Sequence, residues 1–214
     1  TGHCSRRKAD ELIEADKVRV NGEAPSLGFQ VDPTKDQISI DGKTIYAPTE
    51  FTYIMLHKPT GYTTTKADPH ADRTIYELLP EKYHHLHPVG RLDRESEGLL
   101  LLTDDGDFTY KMTHPSNNSE KIYQVKIKNP LTPKQIQRIE YGIIIEEPKG
   151  PYKTRPCQIK SLGQNKFEVT LNEGRNRQIR KMFQAAGSNV VFLKRMKMGE
   201  YELDKLKKGD WKIV

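Results

Sequence analysis

Cysteine is nearly absent from the 214-residue sequence, and tryptophan occurs once. Cys4 and Cys157 stand far apart, outside any Cys-x-x-Cys pair. A disulfide-stapled scaffold and a cysteine-rich zinc framework are therefore not in view, and a reduced, cytoplasmic setting is expected. No apolar run nears the roughly 20 residues that cross a bilayer. The N-terminus has neither a signal-type apolar stretch nor a starting methionine, so the chain is expected to begin partway into a natural one. A glycine-rich phosphate loop and a legible Ser/His/Asp arrangement are also missing, which leaves no cofactor to expect. Internal repeats and low-complexity tracts are lacking too.

Charge is what the sequence has in quantity. Thirty-five Lys and Arg against 29 Asp and Glu give a net +6, an excess whose location matters more than its size. Between Asn172 and Met198, seven basic residues (Arg175, Arg177, Arg180, Lys181, Lys194, Arg195 and Lys197) face one acid, Glu173. That local surplus matches the net charge of the whole chain. It favours a surface for a polyanion such as nucleic acid over a solvated basic helix. The length allows a large domain with a small companion, and a sizeable core.

Residues 5–15, SRRKADELIEA, offer Ser5 as an N-cap and put Ala9, Leu12 and Ile13 on one helical face. Val18 and Val20 alternate before Asn21-Gly22, and Ile38 and Ile40 before Asp41-Gly42, so short hairpins are expected. This small α+β module carries Arg6, Arg7 and Lys8 at its helix start, although its acids match its bases. YAPTE, residues 46–50, reads as a linker. Beyond it, FTYIMLHKP, KIYQVKI and NVVFLKRMKM read as strands, RPCQIKSL and KFEVTL as a pair, and GYTTTKADPHADR as a long polar loop. GLLLLTDD is a continuous apolar run, the mark of a strand buried on both faces. TIYELLP and DFTYKMTHP read as short helices, and TPKQIQRIEYGI as one capped by Thr132 with Pro133 in its first turn. RNRQIRKMFQAAG puts Ile179, Met182, Phe183 and Ala186 on one face. With no βαβ rhythm, the expected fold is α+β with a mixed, largely antiparallel central sheet.

One carboxylate raises a chemical question. Asp93 sits between Arg91 and Arg94 beside the most apolar stretch of the chain. Desolvation pushes a carboxyl toward protonation, whereas neighbouring guanidinium groups favour its ionised form. Two readings stand level: an ordinary ion pair at a strand start, or a carboxylate kept charged as nucleophile or base. Asp104, Asp105 and Asp107 lack the spacing and terminal Glu of a calcium loop and are expected to cap the following helix. His84, His85 and His87 lack a fourth ligand at zinc spacing, so no metal is expected.

PVGRLDRESEGLLLLTDDGD resembles the signature of bacterial ribosomal RNA pseudouridine synthases, whose essential aspartate follows Gly-Arg-Leu. The likeness covers nearly all of residues 51–214. LHKPTGY resembles the first motif at Lys58, Pro59 and Gly61, and EKIYQV the motif whose tyrosine packs on the target base. LNEGRNRQIRKMF resembles the motif whose basic residue pairs with the aspartate, and VFLKR supplies the leucine of the pocket wall. The resemblance implies Asp93, Tyr123 and Arg180 as catalytic residues, with Arg91, Lys58, Leu193, Arg175, Arg177 and Lys181 binding substrate. CSRRKADELIEADKVRVNGE, with VDPTKDQISIDGK, resembles the S4 RNA-binding domain without its opening helix, which implies that Arg6, Arg7 and Lys8 face RNA.

The implied architecture is an S4-like domain over residues 1–46 and a catalytic domain over 51–214. The implied reaction converts one uridine to pseudouridine without a cofactor, on a base flipped from its stack. Ribosomal RNA or a ribosomal subunit assembly intermediate is the expected partner, with no membrane, and the chain is expected to act as a monomer. The short S4-like module and TDDGD…HP…EKIYQV favour 16S RNA; EGRNRQIR also occurs in relatives acting on 23S RNA. Two other readings are a non-catalytic RNA-binding ribosome-assembly protein and a glycosidase with paired carboxylates. The glycosidase needs Asp104 or Asp105 to face Asp93.

Overall fold

Ser5 opens the first helix, α1 (Arg6–Glu14), where its hydroxyl accepts from Lys8 N at 3.2 Å, satisfying one of the helix's free N–H groups. This computed structural model describes residues 3–32, 34–46, 48–66 and 72–214, and the chain divides into two compact units, Thr1–Phe51 and Thr52–Val214. In the first unit, β1 (Val18–Val20), β2 (Ile38–Ile40) and β3 (Lys43–Ile45) form an antiparallel sheet in that order. Asp41-Gly42 makes the β2–β3 hairpin, with φ of 48° and 75°, the left-handed pair a two-residue hairpin prefers. Asn21-Gly22 does less than expected. It closes only an isolated bridge between Val20 and Glu23, because Pro25 follows and stops a returning strand.

The second unit runs β4 (Tyr53–Lys58), β5 (His87–Pro88), β6 (Glu97–Thr103), α2 (Gly106–Thr113), β7 (Lys121–Ile127) and α3 (Pro133–Glu140). It continues with β8 (Ile144–Ile145), β9 (Tyr152–Lys153), β10 (Gln158–Gly163), β11 (Lys166–Leu171) and α4 (Gln178–Ala185). Strands β12 (Val190–Met198), β13 (Tyr201–Glu202) and β14 (Trp211–Ile213) complete it. TIYELLP forms a single 3-10 turn, Ile75–Leu78, rather than an α-helix. Part of the long polar loop, residues 67–71, lies outside the described residues. The central sheet has the order β10-β11-β7-β12-β6-β4-β14, with β5 beside β6 and β13 beside β12. Every pairing along it is antiparallel except β12 with β6.

The four-leucine run explains how this sheet is buried. Side chains alternate along β6, so Leu100 and Leu102 join one core with Ile54, Leu56, Val125, Ile139 and Phe183. Leu99 and Leu101 join a second core with Met55, Met112, Met198 and Leu203. The first core is roofed by α3 and α4, through Ile139, Ile179, Met182 and Phe183; the second packs under α2 through Met112. Helix α4 begins later than its basic pattern suggests. Arg175 N donates to the Gln178 side chain at 3.0 Å, and Arg177 takes a left-handed φ of 54°. The turn so made leaves Arg175 and Arg177 ahead of the helix.

The single parallel crossing depends on a glycine. Gly98 has φ 113° and sits against Arg195, its register partner on β12. A methyl group there would overlap the Arg195 backbone, and the φ itself disfavours any L side chain. Gly98→Ala should therefore yield protein with a sharply lowered melting temperature, measured by circular dichroism. An unchanged melt would show that the crossing can relax.

Candidate active site

Lys58 ends β4 with no exposure to solvent. Its ammonium donates to Ser96 O at 2.8 Å, Pro59 O at 3.0 Å and Asp93 O at 3.1 Å. The three carbonyls belong to the end of β4 and to the loop leading into β6, so one cation ties that loop to the sheet. Burial pulls the Lys58 pKa down to about 8, against the raising influence of Asp93 and Glu95. Lys58 was expected to bind substrate; the structure places it beneath the loop instead.

Asp93 stands on that loop, its carbonyl also accepting from Ser96 N at 3.0 Å. Its sequence neighbours do not pair with it. Arg94 turns to Asp72 at 2.8 Å and to Gly61 O at 3.3 Å, while Arg91 lies exposed at the cleft wall. The guanidinium groups that meet the Asp93 carboxylate come from the far end of the chain: Arg180 Nε at 3.7 Å and Arg177 Nη1 at 3.9 Å. The ordinary ion pair of neighbours is thus replaced by a long-range one.

Arg180 is held firmly from behind. Its Nη1 donates to Val190 O, and its Nη2 to Glu95 O and Ser96 Oγ, each at 3.2 Å. Its buried Nε, aimed at Asp93, has no hydrogen-bond partner among the described residues. Burial lowers the Arg180 pKa from its usual value, as does the charge of Arg177. Arg177 itself spends its Nη1 on Glu95 at 2.9 Å. The cleft around Asp93 is lined by Arg91, Ser96, Tyr123, Arg175, Gln178 and Leu193, among others. Tyr123 comes from the middle of β7 and Leu193 from β12, so a ring and an aliphatic side chain form its inner surface opposite the carboxylate loop.

Beneath the arginines lies a carboxylate. Glu173, buried, accepts from Gln178 Nε2 at 2.6 Å, Tyr152 Oη at 2.8 Å and Arg155 N at 2.9 Å. It fixes the loop on which Arg175 stacks over the Tyr152 ring at 3.3 Å. Glu173 was legible as the one acid among seven cations; Ser96 and Gln178 gave no comparable signal. Lys181, expected near RNA, does not line the cleft and pairs instead with Glu147 at 2.7 Å. Asp104 and Asp105 lie past the opposite end of β6 from Asp93. Asp104 accepts from Thr52 N, and Asp105 caps α2 and accepts from Tyr53 Oη. The facing pair that a glycosidase needs is therefore not formed by them. The histidines serve the loop: His84 meets Leu79 O, and His87 meets Thr109. In the first unit Arg6 and Arg7 are exposed, and Lys8 pairs with Glu11 at 3.0 Å.

The fold is that of a pseudouridylate synthase. A crystal structure of a pseudouridylate synthase matches with a TM-score of 0.73 and 31% identity, covering 98% of this chain and 90% of that one. A family model described as RNA pseudouridylate synthase matches residues 52–185. The ribosomal large subunit pseudouridine synthase B of Bacillus subtilis is 38% identical over 98% of this chain and 86% of that protein. The ribosomal small subunit pseudouridine synthase A of Pasteurella multocida is 33% identical over 98% and 90%. The chain belongs to the RNA pseudouridylate synthase family, and it is an isomerase that makes pseudouridine from uridine.

Lys58→Met would strip donors from three backbone carbonyls, so stability should fall by about 1–3 kcal/mol and turnover should fall with the loosened Asp93 loop. Urea unfolding and single-turnover assays measure both. Unchanged stability with only a raised KM would return Lys58 to substrate binding.

Proposed function

We propose that the chain isomerises a uridine of ribosomal RNA, with Asp93 as the reacting carboxylate, Tyr123 as the ring against the flipped base, and Arg180 as the cation that orients Asp93. The observation carrying this is the Arg180 Nε atom, buried, unpartnered and 3.7 Å from Asp93 in the cleft that Tyr123 and Leu193 line. Isomerisation breaks the bond from C1′ to N1, turns the uracil and joins C1′ to C5, with the C5 proton leaving. A carboxylate at C1′ serves by bonding to that carbon or by taking the C2′ proton. No electrons are gained or lost. A stacked base is out of reach, so the target leaves its stack, and an aromatic face such as that of Tyr123 repays roughly 1–3 kcal/mol of that cost.

Arg91, Arg175 and Arg177 at the cleft wall hold the RNA flanking the target. The first unit, with Arg6 and Arg7 exposed on α1, is an S4-like module that adds reach and orientation on a large RNA. Ribosomal RNA is the substrate that the names of the relatives support, for both subunits. The motifs lean toward the small subunit, and mapping pseudouridine in 16S and 23S RNA from a strain lacking the protein assigns the target. Loss of a site from neither RNA would refute a ribosomal substrate.

Arg180→Met should remove nearly all turnover, whereas Arg180→Lys should keep part of it, because lysine retains the charge without the forked geometry. Equal activities for the two would dismiss the pairing with Asp93. Arg175→Ala should weaken RNA binding and flatten its salt dependence by roughly 0.7–0.9 per lost phosphate contact. Lys181→Ala, already paired with Glu147, should change neither. The reverse ranking in a salt series would move the RNA path off the cleft wall.

A further inference from the structure

Two cations lie buried beside Tyr123, and the site described so far uses neither. Arg195 is the cross-strand partner of Tyr123 on β12, and Lys121 stands two residues before Tyr123 on β7. Directly opposed residues share a sheet face, as do alternate residues of one strand, so all three side chains project to the cleft face. Arg195 is 2% exposed and Lys121 7%. Arg195 Nε donates to Leu99 O at 2.7 Å, but its Nη2 is buried with no hydrogen-bond partner among the described residues. Lys121 Nζ, with three protons to give, donates to Ser119 O at 2.9 Å. Its stem runs beneath Gly174, which lines the cleft.

Among the described residues, neither cation forms an ion pair with a carboxylate. Glu97, on the neighbouring strand, is taken by Lys208 at 2.8 Å, and Glu173 is taken by Tyr152, Gln178 and the Arg155 N–H. Burial first, and then the charge of Arg195, pull the Lys121 pKa down to about 8. Two like charges side by side in a dry place, without an anion, destabilise a fold. Lys58 escapes that judgement because three carbonyls receive its protons; Lys121 and Arg195 have no such set.

A phosphate contact does not account for Arg195. Arg195 Nη2 is closed to solvent, so no backbone oxygen of RNA touches it, whereas Arg175 and Arg177 are open for that purpose. A buried charge acts at a distance, and in a low dielectric it acts strongly. The anion it can serve is transient. When the C1′–N1 bond breaks, its electron pair departs with the uracil and spreads over N1, O2 and O4. In the same step C1′ gains a bond to an Asp93 oxygen, or Asp93 takes the C2′ proton. Later C5 bonds to C1′ as the Asp93 oxygen leaves that carbon, or as Asp93 returns the proton to C2′, and C5 then loses its proton while N1 gains one.

We infer that Lys121 and Arg195 supply the fixed positive field that stabilises the departing uracil anion above Tyr123. This rests on the placement of the base at Tyr123 and of the reacting carboxylate at Asp93. Lys121→Met carries the test, because removing an unpaired buried charge should leave the fold intact and raise its melting temperature. Arg195→Lys, which keeps the charge, should stay close to wild type, whereas Arg195→Met should not. Substrate RNA is prepared with uridine or with 5-fluorouridine at the target, and the rate read on both is the loss of the original nucleoside, because the fluorinated base has no C5 proton to release. Fluorine stabilises the uracil anion and so lessens the need for outside charge.

Single-turnover rates at saturating RNA should fall about 10- to 100-fold for Lys121→Met on uridine, with KM nearly unchanged. The deficit should shrink several-fold on 5-fluorouridine, where each tenfold in rate corresponds to about 1.4 kcal/mol. An equal deficit on both substrates, a change confined to KM, or a lowered melting temperature with normal turnover would overturn the inference. Asp93→Asn, run beside it, separates the two claims. If that variant turns over, the placement of the site fails; if it is dead while Lys121→Met reacts normally on both substrates, only the field assignment fails.

Discussion

One ammonium group fixes the loop on which the site depends. Lys58 Nζ gathers the carbonyls of Pro59, Asp93 and Ser96, and the last two close the turn that presents the Asp93 side chain to the cleft. The price of burying that charge is offset by three acceptors at hydrogen-bond distance. Ser96, held in the same turn, then offers its hydroxyl to Arg180. A cation thus sets the loop, the loop sets the carboxylate, and the carboxylate faces a second cation brought from α4.

The rest of the second unit serves that geometry. The parallel crossing of β12 and β6 at Gly98 brings Leu193 and Arg195 alongside the strand that follows Asp93. Tyr123 joins them from β7, and α4 closes over the sheet with Ile179, Met182 and Phe183 in the core, which carries Arg180 to its position. Glu173, anchored by three donors, ties the loop that carries Arg175 to Tyr152, Arg155 and Gln178. The arrangement concentrates positive charge around one carboxylate.

Much of the fold was legible because alternation and capping are local. The leucine run of β6, the Val/Ile alternation of β7 and the Thr132 capping box of α3 all formed where the pattern put them. Asn21-Gly22 misled because the proline after it, not the turn, decides whether a strand returns. Helix α4 began three residues past Arg175 because a side-chain bond to Gln178 holds the turn open. Neighbours in sequence suggested Arg91 and Arg94 as the partners of Asp93. Its partners Arg177 and Arg180 meet it only through tertiary contact, which no local pattern encodes; Arg180 was legible through the family resemblance alone, and Arg177 only as a substrate-binding residue. The burial of Lys58 and the pairing of Lys181 with Glu147 were invisible for the same reason: a basic residue in a motif reads alike whether it faces solvent, a carbonyl or a carboxylate.

Isomerisation replaces the hydrogen on C5 of the target uracil with a carbon–carbon bond, so that hydrogen must leave. Ribosomal RNA carrying tritium at uracil C5 reports this directly, through tritium released to water by the wild-type protein and by Asp93→Asn. The account predicts stoichiometric release, one tritium per target, from the wild type, and none above background from a folded Asp93→Asn that still binds RNA. Release by Asp93→Asn at a comparable rate would contradict the placement of the reaction at this carboxylate.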